Sequence, residues 1–156
     1  MSDLTTLGVK VGYAVEATAG TQPTTGYTQI PRCLSIGGVK LTPATIDVST
    51  LEDLTKQYAD GQQDTGGTWE NVYHSGALTA IQTMMTAAAT AKAAGKGVWW
   101  VIFIEGLSKS YFLKAQPGTN QGLSDISIGK ALEIPVTCII NDVLGFDTAV
   151  EPTVGA

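Results

Sequence analysis

With 156 residues, 44% of them apolar and 15% charged, the chain is long enough to bury one core without disulfide or metal staples, which excludes wholesale disorder and argues against two domains. Glycine (18) and threonine (21) supply a quarter of the residues, and charged content lies well below the roughly 25% of an average soluble domain, a smooth, turn-rich composition that suits an all-β chain with large protein contacts. The net charge of −5, with 9 bases, 14 acids and no basic run, argues against tight nucleic-acid binding.

Val9, Val11, Tyr13 and Val15 alternate with Lys10, Gly12, Ala14 and Glu16, the period of two that lays one face of a strand on a core. Residues 18–28 are rich in Thr, Gly and Pro and predict an irregular contact loop. A second strand region at 30–48 is interrupted at Gly37-Gly38, with Pro31 and Pro43 near its ends, and fits a bent strand or a hairpin. Residues 47–67 then hold only Leu51, Leu54 and Tyr58 as sizeable apolar groups, so they predict a long excursion loop that needs a partner. Charge is concentrated from Asp47 to Glu70, where Asp47, Glu52, Asp53, Asp60, Asp64 and Glu70 face one base, Lys56.

Alternation resumes at 68–73. Leu78, Ile81, Met85 and Ala88 then follow helical spacing across 76–94, with Ser75 as the expected N-cap and Gly95 as the stop. Met84 and Met85 read as core filling. The apolar run 98–105, with Trp99 and Trp100, predicts a central strand covered on both faces, by the helix on one and a second sheet on the other. A hairpin loop at 106–110 leads into a strand at 111–115. Ile126, Ile128, Leu132, Ile134, Val136, Cys138 and Ile140 share one parity, so a long last strand over 124–140 is expected, with Pro135 marking an edge or bulge.

Catalytic signatures are sparse. His74 is the sole histidine, and the neighbouring Ser75 is better explained as a helix cap than as a nucleophile, because neighbours on a strand-to-helix turn point apart. No nucleophile elbow, phosphate loop, dinucleotide fingerprint or zinc spacing occurs, and Gly95-Lys96-Gly97 precedes a strand, the wrong order for a phosphate cradle. Asp60 and Asp64 bracket a short polar stretch that lacks the ligand pattern of a calcium loop. No enzyme activity, cofactor or metal is expected. Cys33 and Cys138 read as small buried residues, with a disulfide left open, and the N-terminus lacks a signal-peptide pattern, so a cytoplasmic site of synthesis is expected. No apolar run reaches the roughly 20 residues of a membrane-spanning helix.

The stretch Ile46-Asp47-Val48-Ser49-Thr50-Leu51-Glu52, then Tyr58-Ala59-Asp60-Gly61 and Asp64-Thr65-Gly66-Gly67, resembles the major tail tube proteins of tailed bacteriophages, in the short form without an appended immunoglobulin-like domain. The resemblance continues through the helix and the strand after it to the long last strand. It implies a mainly β fold with one α-helix, two packed antiparallel sheets forming a β-sandwich or split barrel flanked by the helix, as a single domain over 1–156 with a long loop at 47–67 and a short tail at 145–156. It further implies a virion protein, made in the bacterial cytoplasm, that assembles as a homo-oligomer of six-subunit rings stacked into a tube. DNA passes through without specific binding, and tape measure, tail tip and terminator proteins are the expected partners. Ring stacking is assigned to Asp47, Ser49, Thr50, Leu51, Tyr58, Gly61 and Asp64, and an inter-subunit strand edge to Ile126, Ile128, Ile134 and Val136. Two other readings remain open, another β-sandwich virion protein such as a decoration or connector protein, and a small β-barrel binding an apolar ligand.

Overall fold

The computed structural model describes residues 8–64, 67–118 and 122–154. Among them the order is β1 (Lys10–Val15), β2 (Thr28–Gln29), β3 (Cys33–Ile36), β4 (Thr42–Asp47), β5 (Tyr58–Asp64), β6 (Thr68–His74), a 3-10 turn (Ser75–Ala77), α1 (Leu78–Ala93), β7 (Val98–Phe103), β8 (Lys109–Pro117), β9 (Glu133–Thr148) and β10 (Thr153–Val154). Eight strands make one curled sheet, a half-barrel, in the order β10-β2-β1-β7-β8-β9-β6-β3, while β4 and β5 pair with each other as a second sheet. All pairs are antiparallel except β10 on β2. The curl follows from β9: β6 pairs with it from Glu133 to Ile139, whereas β8 joins at Cys138 and follows it to Thr148. Neighbours staggered along one long strand bend a sheet toward closure.

The mainly β, one-helix, two-sheet architecture matches the sequence expectation, with unequal sheets and α1 as the layer packed on the large one. Ile81, Met84, Met85, Ala88 and Ala91 of α1 meet Val11, Tyr13, Trp100, Leu113, Val136 and Cys138 from the sheet. A 16-residue helix of this composition is marginal in isolation, so this burial holds it in place. Leu78, expected on the buried face, is largely exposed, because Ala77 closes the preceding turn and takes the inward position. The helix ends as expected: Gly95 has φ +74°, Lys96 N–H reaches Ala91 O at 2.8 Å and Gly95 N–H reaches Lys92 O at 3.1 Å, the paired bonds of a glycine C-cap.

Trp69 and Trp100 meet edge to face at 5.2 Å in this core. Their indole N–H groups donate to Gly37 O at 2.8 Å and Ala115 O at 3.0 Å, which removes the cost of burying an unpaired donor. The opposite face of the sheet carries Ala14, Trp99, Val101 and Phe112. Here the covering element is Tyr27 from the 18–28 connection together with Val150, not a second sheet. Tyr27 is pinned by its hydroxyl, which donates to Pro23 O at 2.8 Å.

Several local expectations are corrected. The 30–48 region is two strands with different partners, β3 on β6 and β4 on β5. The 47–67 segment is not simply a loop, since it includes β5, the returning strand of a hairpin arm. Thr65 and Gly66 of the quoted motif lie outside the described residues. The expected strand over 124–140 begins only at Glu133, because Gly129 at φ +82° and a Lys130 N–H to Ser127 O bond make a turn that breaks the run. Residues 145–148, expected as tail, complete β9. Cys33 and Cys138 are free thiols, and burial pushes their pKa values up to about 11 and about 12.

Candidate assembly surfaces

The β4–β5 arm is built by backbone pairing from Asp47↔Tyr58 to Thr42↔Asp64, with an irregularity between Pro43 and Thr45 that accommodates the proline. Every residue of β4 is exposed, and in β5 only Gly61 is partly covered, lying against Ala44 so closely that an added Cβ would come within 3.1 Å of the Ala44 Cβ. A two-stranded hairpin with no buried face is marginally stable in water.

Polar side chains organise the tip. Asp47 Oδ1 accepts from Ser49 N–H at 2.9 Å, and Ser49 Oγ accepts from Gln57 N–H at 2.7 Å. Asp53 Oδ2 accepts from Thr50 N–H at 2.7 Å. The Ser49 backbone N–H, and then its hydroxyl, hold the Asp47 carboxyl below the usual carboxylate range. The resulting turn presents Leu51 and Leu54 at full exposure, 107% and 105%, with Glu52 and Asp53 between them. Ile46, Val48 and Tyr58 are exposed below the tip. All seven residues assigned to ring stacking, Asp47, Ser49, Thr50, Leu51, Tyr58, Gly61 and Asp64, lie on this arm. Asp60 and Asp64 sit on one strand roughly 13 Å apart along it, too far to share a cation.

Of the assigned strand edge, Ile134 and Val136 are core side chains, 5% and 1% exposed, on a stretch of β9 whose backbone pairs with β6 alone among the described residues, because β8 joins only at Cys138. Ile126 and Ile128 are exposed but precede the strand. A second one-sided stretch lies further on: β6 stops at Ile139, so from residue 141 to 148 β9 pairs with β8 alone among the described residues. Leu144 and Phe146 are exposed along it. The Asp142 and Asp147 carboxylates each accept the next residue's N–H at 2.8 Å, which partly blunts the edge.

Two features escaped the sequence. His74, not Ser75, caps the turn before α1, with Nδ1 accepting from Gly76 N–H at 3.0 Å. Glu16, expected on the polar face of β1, is 1% exposed. Its carboxylate accepts from Gly97 N–H at 2.5 Å and from the Trp99 indole at 3.0 Å, with Lys114 Nζ at 3.7 Å. Burial opposes its charge, but the Gly97, Trp99 and Gly20 hydrogen bonds and Lys114 outweigh burial and hold the carboxyl below its usual range. A glutamate that closes an alternating strand has no sequence mark to distinguish it from a solvated one.

No helix among the described residues is long and apolar enough to cross a membrane. No protein-family model and no curated protein sequence matches the chain. Solved structures do. A chain of the anti-feeding prophage (AFP) baseplate, 6-fold symmetrised, is similar with a TM-score of 0.60 at 12% identity, over 92% of this chain and 95% of that one. The SPP1 tail tube is similar with a TM-score of 0.58 at 14% identity, over 96% of this chain and 81% of that one. The half-barrel with its single helix and projecting hairpin is thus a phage tail-tube-like fold.

Proposed function

We propose that the chain is a structural subunit that joins copies of itself into six-membered rings stacked as a hollow tube, a conduit for DNA in a phage tail or a phage-derived particle. The observation that carries this reading is the arm, whose strands bury nothing and whose tip leaves Leu51 and Leu54 bare. Such a surface is stable once another surface covers it. Contacts between unlike surfaces close around a ring but repeat without limit along an axis, and that makes a filament. The arm, through Asp47, Ser49, Thr50, Leu51, Tyr58, Gly61 and Asp64, makes the ring-to-ring contact. The stretch of β9 around Ile134 and Val136 and residues 141–148 each have one strand neighbour among the described residues and offer the next subunit an edge. The sixfold symmetry of the AFP baseplate supports the ring number.

Acids outnumber bases over the chain as a whole, a balance that suits a conduit that does not hold DNA phosphates. Tape measure, tail tip and terminator proteins fit as end-of-tube partners. Sedimentation velocity at rising concentration tests the reading: species that grow without a fixed size support it, and a monomer at every concentration contradicts it.

A further inference from the structure

On the far side of α1 from its N-cap, Met85, Ala89, Lys92 and Ala93 form an open groove of about 410 Å³ with Gln116, Pro117 and Gly118 at the end of β8. Its walls are mostly methyl, methylene and thioether groups with the Gln116 side chain among them, and Lys92 is the one charged lining residue among the described residues. No ion pair engages Lys92 among the described residues. Between Glu70 and Glu105 the sequence contains no acid and two bases, Lys92 and Lys96, so this end of the helix is cationic. A groove elsewhere, between α1 and β2 and lined by Tyr13, Thr28, Pro31 and Thr79 among others, has no charged side chain among the described residues.

The arm tip is the converse in shape and sign. Asp53 N–H bonds Thr50 O at 3.1 Å, so Thr50-Leu51-Glu52-Asp53 is one tight turn with Leu54 directly after it, two exposed leucines with acids between them. From Thr42 to Asp64 the arm carries five acids and one base. Docking arm on arm would juxtapose like charges, which is unfavourable. The tip is also fully exposed in its own chain, so it does not occupy its own groove.

Resting on the tube reading above, we infer that the arm tip of one copy seats Leu51 and Leu54 in the α1–β8 groove of a second copy, with Glu52 against Lys92. Met85, unbranched and adaptable, shapes the floor to the leucines. Knob and hole lie on unlike surfaces of one chain, so each docking leaves a free knob and a free hole, and growth continues.

Charge exchange tests this on the full chain. Glu52→Lys and Lys92→Glu each raise the concentration needed for tube growth by about tenfold or more, and the double variant returns it near the original value. Ala89→Trp, at an exposed helix position, fills the groove and blocks growth without altering any charge. Circular dichroism and thermal midpoints establish that each variant is folded. Single variants that assemble like the unaltered chain, or a double variant no better than either single, overturn the acceptor assignment while the tube reading stands. If the unaltered chain forms no tubes at any concentration, the tube reading fails and this inference with it.

Discussion

The Glu16 carboxylate accepts the Trp99 indole N–H at 3.0 Å, tying the end of β1 to the opening of β7 across a residue that is 1% exposed. The same carboxylate holds Gly97 N–H, so one side chain fixes where the chain turns from α1 back into the sheet. Glu16→Ala leaves the Gly97, Trp99 and Gly20 donors and the Lys114 ammonium without their acceptor and costs about 3 kcal/mol, measurable by urea unfolding. Because the folded-state pKa is lowered, the stabilisation is complete above the ordinary glutamate value of 4.5 and is lost as pH falls through the folded value. The stability gap between the unaltered chain and Glu16→Gln therefore narrows in acid. A gap independent of pH would show that the carboxylate charge contributes nothing.

At the arm tip, Asp47 receives Ser49 N–H, and Ser49 in turn receives Gln57 N–H. Asp47→Ala combined with Asp64→Ala removes the Asp47 bond to Ser49 N–H and two charges of the arm without touching the core. The expected outcome is an unchanged thermal midpoint with impaired tube formation, and tubes of normal length by electron microscopy would remove these residues from the stacking contact.

Leu51 and Leu54 bury nothing within the chain. Replacing either by Asp changes stability by no more than about 0.5 kcal/mol, the range of surface substitutions. Assembly is expected to weaken markedly in the same variants, read by light scattering during concentration. A loss of folding stability instead would mean that the leucines serve the monomer.

Gly95 has open space around its Cα, so only its φ of +74° resists a side chain. Gly95→Ala is expected to lower stability by about 1–2 kcal/mol through left-handed strain at the helix stop. Thermal unfolding checks the value, and no change would mean that the cap relaxes freely.

Legibility tracked burial. Where a segment packs against the core its periodicity was readable: Val11 and Tyr13 on β1, Ile81, Met85 and Ala88 on α1, Ile134 and Val136 on β9. The β5 strand carries no such mark, because among the described residues Tyr58–Asp64 pairs with β4 alone and both strands are exposed. The opposite error arose at Ile126 and Ile128, whose parity continues the β9 pattern although a turn at Gly129 separates them from it. Edges were illegible for a related reason. Alternation reveals which side chains point inward, whereas a free edge depends on where a neighbouring strand stops, here β6 at Ile139.

The central claim is self-assembly into an open-ended tube, and imaging the purified full chain by negative-stain electron microscopy at increasing concentration tests it most directly. Hollow tubes of constant diameter whose length grows with concentration are the predicted result. Discrete closed rings that never stack, or unassociated monomers throughout, would contradict it.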